Sequence, residues 1–161
     1  MSSPSPADGT NGATRFGEAL ELRDPWYVER SEFDAGERSL ILDLGFNAGG
    51  LFTCGSCGEK GCKAYDTARK EWRHLDFLQY RTYVRAPQPR VECPRCGVRQ
   101  AGVPWARPRS AYTLAFEFRV SELLALNSRT VKCKDVAELL EEPASRLASV
   151  VRHYAKRGQA G

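Results

Sequence analysis

The sequence has no uninterrupted apolar run of about 18 residues, the length that a membrane-spanning helix needs. Residues 1–11 are polar and contain no apolar stretch, so we expect no secretory signal peptide. We therefore expect a cytoplasmic protein without a membrane partner, in which cysteine thiols stay reduced. With 161 residues, 42% of them apolar and 27% charged, the chain has the composition of one or two small globular domains and not of a large enzyme.

Charge is distributed unevenly along the chain. Residues 1–50 contain 4 Lys and Arg against 9 Asp and Glu, whereas residues 51–161 contain 20 against 11. The formal net charge of +4 therefore hides an acidic first part and a basic remainder. A basic segment of this kind favours a polyanionic partner.

Four of the six cysteines form two Cys-x-x-Cys pairs, Cys54 with Cys57 and Cys93 with Cys96. In a reducing compartment such pairs are typical of a metal site, because each turn directs two thiolates at one centre and two turns complete a tetrahedron around Zn²⁺. A glycine follows each pair and tolerates the positive φ that a tight turn around a metal often needs. Four thiolates leave no open coordination position, so we predict one structural zinc ion.

Alternatives to this ligand set remain open. A second set would consist of Cys54, Cys57, Cys62 and His74. We rank it lower because it leaves the second Cys-x-x-Cys pair unexplained. One pair alone is also typical of a thioredoxin-like redox motif, but the βαβ unit that this motif needs is not visible in the sequence. The loop of 35 residues between the pairs is longer than the about 15–20 residues of compact zinc sites.

The first part of the chain is predicted to be a disordered tail followed by β-structure. The tail, residues 1–20, is rich in Ser, Pro, Gly and Ala. Residues 26–46 alternate with period two around a glycine-containing turn, which predicts a β-hairpin with one buried face. Further strands are expected between the cysteine pairs, broken at Pro87 and Pro89 because proline cannot donate to a sheet ladder. Residues 21–109 are therefore predicted to form a β-hairpin and zinc-ribbon domain.

Basic and aromatic residues alternate loosely between the two cysteine pairs. We expect the aromatic side chains to belong to the core of a small sheet. Residues 51–120 carry 13 Lys and Arg against 6 acidic residues, which favours contacts between guanidinium groups and phosphates. The predicted phosphate contacts are Arg69, Arg73, Arg81 and Arg85.

From Thr113 the apolar period becomes helical. We predict a first helix that ends near Asn127, a second from about Thr130 to Leu140, and a third that begins near Ser145, after a turn that contains a proline. Cys133 is expected to be an ordinary residue of the second helix. The apolar residues predicted to face inward on the third helix are Leu147, Val150, Val151 and Tyr154.

A short turn between two helices is typical of a helix-turn-helix, whose second helix enters the major groove of DNA. We predict such a domain over residues 110–157, followed by a flexible end at 158–161. The residues expected to approach the groove are Arg146, Ser149, Arg152, His153 and Lys156. A three-helix packing unit with a solvated basic face fits the same pattern. The predicted fold class is thus α+β, with a β-rich zinc-ribbon module before a helical module.

Several stretches together resemble the N-terminal region of bacterial insertion-sequence transposases of the ISL-three family. They are Asp24–Val28, Cys54–Gly58, Trp72–Asp76, Arg90–Gly97 and Pro104–Pro108, and the similarity continues through the helices of residues 131–154. It covers roughly residues 22–157, and the order and combination of the stretches are more specific than any single motif.

The resemblance implies a zinc ribbon and a helix-turn-helix that recognise the terminal inverted repeats of the element. In the family a ribonuclease-H-type catalytic domain follows, but this chain stops at Gly161, where that domain would begin. Glu141 and Glu142 lie at a helix turn and do not form a spaced metal-binding triad. We therefore expect recognition of transposon ends without strand transfer, and so not an enzyme.

The expected partner is double-stranded DNA at transposon ends, in a nucleoid-associated, cytoplasmic setting. A full-length transposase is a second candidate partner. The competing expectation is a non-functional or protein-interacting remnant of a truncated transposase, in which zinc and helices only maintain a fold. The Glu142-Pro143 turn departs from the small-residue turn expected of a helix-turn-helix.

Overall fold

A computed structural model describes residues 9–126 and 130–158 of the chain. It divides the chain into two compact units, of which the first ends at Thr113 and the second begins at Leu114. The first unit contains the strands and one helix, and the second unit is helical. No helix within these described ranges is long and apolar enough to cross a membrane.

Six strands form the sheet of the first unit within its described residues. They are β1 (Trp26–Asp34), β2 (Ser39–Phe46), β3 (Leu51–Phe52), β4 (Cys62–Phe77), β5 (Tyr80–Cys93) and β6 (Gly97–Gln100). Their order is β1-β2-β5-β4-β3, and β6 pairs with β5. All these pairs are antiparallel except β2 with β5, which is parallel. The predicted hairpin of residues 26–46 is confirmed as β1 and β2.

The longest strands, β4 and β5, form a hairpin, and β5 continues through Pro87 and Pro89. The predicted break at these prolines is therefore wrong. The carbonyl of Pro89 accepts a hydrogen bond from the amide of Ala101 at 2.8 Å, so the backbone polar groups of Pro89 face away from β4. Pro87, two residues earlier, faces the same way, on a side where β2 pairs only as far as Arg85. Neither proline removes a donor from the ladder to β4.

The first helix, α1 (Gly9–Ala19), occupies residues that the sequence predicted to be a disordered tail. That prediction is wrong for this helix, and residues 1–8 lie outside the described part of the chain. Phe16 and Leu20 pack against the core of the sheet unit, and the ring of Phe16 meets the ring of Phe77 edge to face at 5.7 Å. Apolar residues at helical spacing therefore hold a segment whose overall composition favours disorder.

Three tryptophans form the centre of the core of the sheet unit. Trp105 meets Trp26 at 4.8 Å and Trp72 at 5.4 Å between ring centroids, each in an edge-to-face arrangement. All three are buried, and the same core includes the cysteines Cys54 and Cys93. Burial of one large apolar side chain contributes about 1.5–3 kcal/mol. The predicted cysteine site thus lies on the apolar core of its unit.

The chain from Ala111 to Thr113 belongs to the sheet unit, although the sequence predicted that the helical domain begins at residue 110. The amide of Arg73 donates to the carbonyl of Ala111 at 2.9 Å, and the amide of Thr113 donates to the carbonyl of Arg73 at 3.0 Å. These bonds extend the edge of β4 and explain why the division falls after Thr113.

The second unit contains α2 (Leu114–Leu126), α3 (Cys133–Leu139) and α4 (Ala144–Gly158). The predicted end of the first helix near Asn127 lies outside the described residues. The α3 helix begins later than predicted because Lys132 is its N-cap. The backbone amide of Lys132 donates a hydrogen bond to the carboxylate of Asp135 at 2.7 Å. The buried apolar residues of this unit are Phe116, Val120, Val136, Ala137, Leu147 and Val150.

Candidate functional site

Two turns bring the cysteine pairs together. The first pair lies between β3 and β4, and the second lies in the turn from β5 to β6. Cys93 pairs with Gly97 at the start of that hairpin, and Cys54 forms an isolated bridge with Ala101 just after β6. The β5–β6 hairpin therefore places the turn of the second cysteine pair beside the turn of the first pair. Gly58 and Gly97 have φ angles of +79° and +73°, so the expected glycine conformation is present at both turns.

The four sulfurs of the two pairs fit a tetrahedral zinc ion. The Sγ atoms of Cys54, Cys57, Cys93 and Cys96 all lie within 4.8 Å of one another. The Sγ atoms of Cys57 and Cys93 are 3.6 Å apart. Four sulfurs at about 2.3 Å from a tetrahedral zinc are about 3.8 Å from each other. Among the residues that the structure describes, this is the one cluster of three or more potential metal ligands.

The electrostatics of the cluster also suit a cation. Hydrogen bonds from the backbone of Cys57 and Ser56 lower the pKa of the Cys54 thiol to about 7. A hydrogen bond with the Cys57 sulfur, together with burial, raises the pKa of the Cys96 thiol to about 12. One thiolate in the cluster thus opposes the ionisation of the next. A divalent cation at the centre reverses this opposition because it attracts every thiolate.

The alternative ligand set is not brought together in the structure. Cys62 is buried, its thiol donates to the carbonyl of Glu59 at 3.5 Å, and burial raises its pKa. Nδ1 of His74 lies 2.8 Å from Oγ1 of Thr113, and burial lowers the pKa of His74 to about 4. Neither side chain belongs to the cluster of four sulfurs. Cys62 belongs to the apolar core of the sheet unit, and His74 is half-buried.

One of the arginines predicted to contact phosphates is buried. The side chain of Arg73 is only 2% exposed and forms an ion pair with Asp76 at 2.5 Å. Its Nη1 also donates to the carbonyl of His74 at 2.5 Å, and its guanidinium lies over the ring of Tyr83. The prediction is therefore wrong for Arg73, because a phosphate cannot reach a side chain enclosed in this way.

The other predicted arginines of the sheet lie at its surface, and two of them are paired with carboxylates. Arg69 forms an ion pair with Asp43, and Arg85 pairs with Glu71 at 2.5 Å. Arg81 is half-buried. These pairs compete with a phosphate for the same guanidinium groups.

Asp43 is a structural centre that the sequence did not indicate. Its side chain is 6% exposed and also pairs with Arg30 at 3.0 Å, so one carboxylate joins β1, β2 and β4. The only sequence signal was a single charge inside the otherwise apolar strand β2. Arg30 lies opposite Asp43 in the β1–β2 hairpin, whereas the pairing with Arg69 depends on the parallel pairing of β2 with β5, which the sequence did not indicate.

The predicted groove-facing residues of the helical unit lie on one side of α4. Arg146, Ser149, Arg152 and Lys156 are exposed, and His153 is half-buried. Leu147 and Val150, on the opposite side of the helix, are 0% and 1% exposed. The predicted division of this helix into an apolar and a basic face is therefore present.

A buried carboxylate that the sequence did not indicate lies inside the helical unit. Glu117 of α2 is 0% exposed, and one of its carboxylate oxygens accepts a hydrogen bond from the hydroxyl of Tyr154 at 3.5 Å. This contact joins α2 to α4. An acidic residue one position after the apolar Phe116 gave no sign of burial, since helical spacing alone places it at the edge of the apolar face.

Comparisons with known proteins identify the ribbon. The family profile described as zinc-finger of transposase IS204/IS1001/IS1096/IS1165 matches residues 51–102. Two proteins of Mycobacterium tuberculosis, from strains CDC 1551 / Oshkosh and ATCC 25618 / H37Rv, are each 34% identical to the chain over 110 residues. Both are described as the transposase for insertion sequence element IS1557.

The chain spans about a quarter of the length of these relatives, since the similarity covers 66% of the chain and 24% of each relative. No solved structure matches the chain. The family match falls on the residues that carry both cysteine pairs, and those cysteines cluster as a zinc site requires. Residues 51–102 therefore form a zinc ribbon with a structural Zn²⁺, similar to the zinc finger of ISL-three insertion-sequence transposases.

Proposed function

We propose that the chain is a DNA-recognition segment of a transposase and that it binds the terminal inverted repeats of its element. The observation that carries the proposal is the cluster of four sulfurs within a ribbon that matches transposases. In this proposal the chain binds the transposon end and does not itself transfer strands. Cleavage of duplex DNA by the purified chain with Mg²⁺ or Mn²⁺ would contradict that part.

The proposed zinc ligands are Cys54, Cys57, Cys93 and Cys96. When bound, the ion supplies a cross-link between two turns that lie 36 positions apart along the chain, measured from Cys57 to Cys93. The cysteines hold the turn from β5 to β6 against the turn that follows β3. Because their sulfurs also border the tryptophan core, the cross-link keeps the sheet unit in its binding shape.

The proposed reading element is α4, in a helix-turn-helix that it forms with α3. The α3 helix ends at Leu139 and α4 begins at Ala144, a separation that suits the short turn of this motif. In such motifs the N-terminal part of the second helix contacts base edges. Arg146 and Ser149 therefore become the proposed base contacts, and Arg152, His153 and Lys156, further along α4, approach the backbone.

The test is binding of the full chain to duplex DNA that carries the terminal inverted repeat of its element. We expect tighter binding than to a scrambled duplex of equal length at 0.15 M salt, measured by fluorescence anisotropy. Arg146→Ala should weaken specific binding by about 1–3 kcal/mol. Arg119→Ala is a matched control, because Arg119 lies in the same unit with 54% side-chain exposure against 55% for Arg146. Equal affinity for the two duplexes would rule out sequence recognition.

A second candidate function is interaction with another protein, such as a full-length transposase. Large apolar side chains on the surface of the helical unit favour it: Phe118 is 60% exposed, Leu126 74% and Leu139 69%. Sedimentation of the chain with and without the full-length protein tests this function. Co-sedimentation that Phe118→Ser and Leu139→Ser abolish would support it, and independent sedimentation would contradict it.

A further inference from the structure

A cleft of about 260 Å³ opens beside the turn of the first cysteine pair. The zinc turn and the cleft share a wall, because the amide of Gly55 donates to the carbonyl of Gln100 at 3.0 Å. A Cβ atom on residue 55 would lie 2.6 Å from that carbonyl oxygen, so the close approach requires glycine. The shape of the cleft therefore depends on the fold of the zinc turn.

Two glutamine amides line the cleft. Gln88 is 5% exposed, and its Nε2 donates to the carbonyl of Ala101 at 3.1 Å. Its Oε1 accepts a hydrogen bond from Nε2 of Gln100 at 2.9 Å. These bonds fix the orientation of both amides, and each Nε2 carries a second N–H. Each amide therefore retains one N–H that can donate to an anionic ligand.

The charged residues that line the cleft are Arg107 and Arg109, and no carboxylate lines it among the described residues. The surrounding sequence has the same bias, since residues 93–116 contain four arginines and no Asp or Glu. A concave wall with charge of one sign concentrates ligands of the opposite sign.

The turn that carries these arginines is built in an unusual way. The amide of Ser110 donates to the carbonyl of Arg107 at 3.2 Å, Pro108 is the second residue, and Arg109 is the third with φ +64°. Proline followed by a positive φ is the pattern of a type II β-turn, whose third residue is normally glycine. An arginine at a position that disfavours every L side chain points to a role for that side chain.

We propose that this cleft binds a phosphate group of the backbone of duplex DNA. Arg107 and Arg109 supply guanidinium groups that suit two oxygens of one phosphate, and Ser56, which also lines the cleft, supplies a hydroxyl donor. This inference rests on the proposed function and deepens it. It gives the ribbon unit a contact that is independent of sequence, in addition to the reading helix of the second unit.

The test is the salt dependence of binding between the full chain and a duplex of random sequence. Arg109→Gly removes the cation and gives the turn its preferred residue, so the variant should be at least as stable as the natural chain. We expect the slope of log K against log salt concentration to fall by about 0.9 and affinity at 0.15 M salt to fall roughly fivefold. Arg109→Lys should retain most of the slope.

Arg90→Ala is the matched control, because Arg90 is 54% exposed, pairs with Asp66 and does not line the cleft. Its slope should equal that of the natural chain. An unchanged salt slope for Arg109→Gly would contradict the proposed phosphate site. An equal fall of the slope in both variants would also contradict it, because that fall would reflect net charge alone. Failure of the natural chain to bind any duplex would instead contradict the proposed function, and the two failures are therefore distinguishable.

Discussion

The sheet unit and the helical unit differ in what surrounds their basic residues. In the sheet unit Arg69 and Arg85 pair with carboxylates and Arg73 is buried. In the helical unit Arg146 pairs with Glu142 at 3.9 Å. Arg152 and Lys156 are exposed on α4, and no ion pair to either is seen in the part of the chain that the structure describes. Basic residues at alternating strand positions are thus a weaker sign of a nucleic-acid surface than basic residues along one helix face. On a strand the neighbours come from remote sequence, whereas on a helix they lie three or four residues away.

The two units also differ in how they are held together. The core of the sheet unit includes cysteines of the metal cluster, so its apolar packing and its metal site are one structure. The helical unit relies on apolar helix faces, with Leu147 and Val150 at the centre of α4. Three predictions separate the two units by this difference, in order of decreasing effect.

The largest effect is expected from Cys93→Ser, which removes one zinc ligand from the centre of the ribbon. Structural zinc contributes about 10–16 kcal/mol to small zinc domains, so we expect loss of zinc and unfolding of residues 51–102. The backbone amides of helices α2 to α4 should keep their protection against hydrogen exchange. Zinc analysis together with hydrogen exchange of the two units checks both parts.

Cys133→Ser is the control for this variant, since Cys133 lies in α3 and outside the cluster. It should retain one zinc ion per chain. Full zinc content in Cys93→Ser would contradict the ligand set and favour Cys62 and His74 instead. Equal loss of hydrogen-exchange protection in both units would contradict this difference between the units, because the helical unit would then depend on zinc as well.

A smaller effect, confined to the helical unit, is expected from Leu147→Ala. Leu147 is 0% exposed, and truncation of a buried leucine costs about 2–5 kcal/mol. We expect lower thermal stability of the helices by circular dichroism and an unchanged zinc content. Arg152→Ala, on the exposed side of the same helix, should change stability by less than about 0.5 kcal/mol. Zinc loss in Leu147→Ala would show that the ribbon depends on the helices.

The parts of the fold that the sequence predicted correctly have local signals. The hairpin of residues 26–46 alternates with period two, the cysteine pairs have fixed spacing, and α4 divides into two faces. Each of these patterns is contained in a short window, so tertiary contacts do not have to be known in advance.

The parts that the sequence did not predict depend on remote neighbours. The tail composition concealed α1, whose Phe16 packs on residues of distant strands. Pro87 and Pro89 stay in β5 because their backbone faces an edge that β2 has already left. Arg73 has the same local pattern as Arg69, but Thr82 and Tyr83 of β5 contact its guanidinium, and its side chain is only 2% exposed.

The smallest expected effect is a pH dependence that belongs to the sheet unit alone. Burial and the nearby Arg73 charge lower the pKa of His74 from 6.5 to about 4 in the folded chain. Because the unfolded chain binds the proton more readily, His74 contributes stability above pH 6.5 that is lost as the pH falls towards 4. This loss amounts to at most about 2 kcal/mol between pH 7 and pH 5.

The measurement is urea unfolding at pH 7 and pH 5 for the natural chain and for His74→Gln. Acid also releases thiolate-bound zinc, so only the difference between the two proteins reports on His74. The glutamine keeps a hydrogen-bonding group near Thr113 but has no proton to gain, and we expect its stability to fall less. Hydrogen exchange should place the extra acid sensitivity of the natural chain in β4 and not in α2 to α4. Equal pH dependence in the two proteins would mean that His74 is already solvated, and the acid response would then belong to the zinc site.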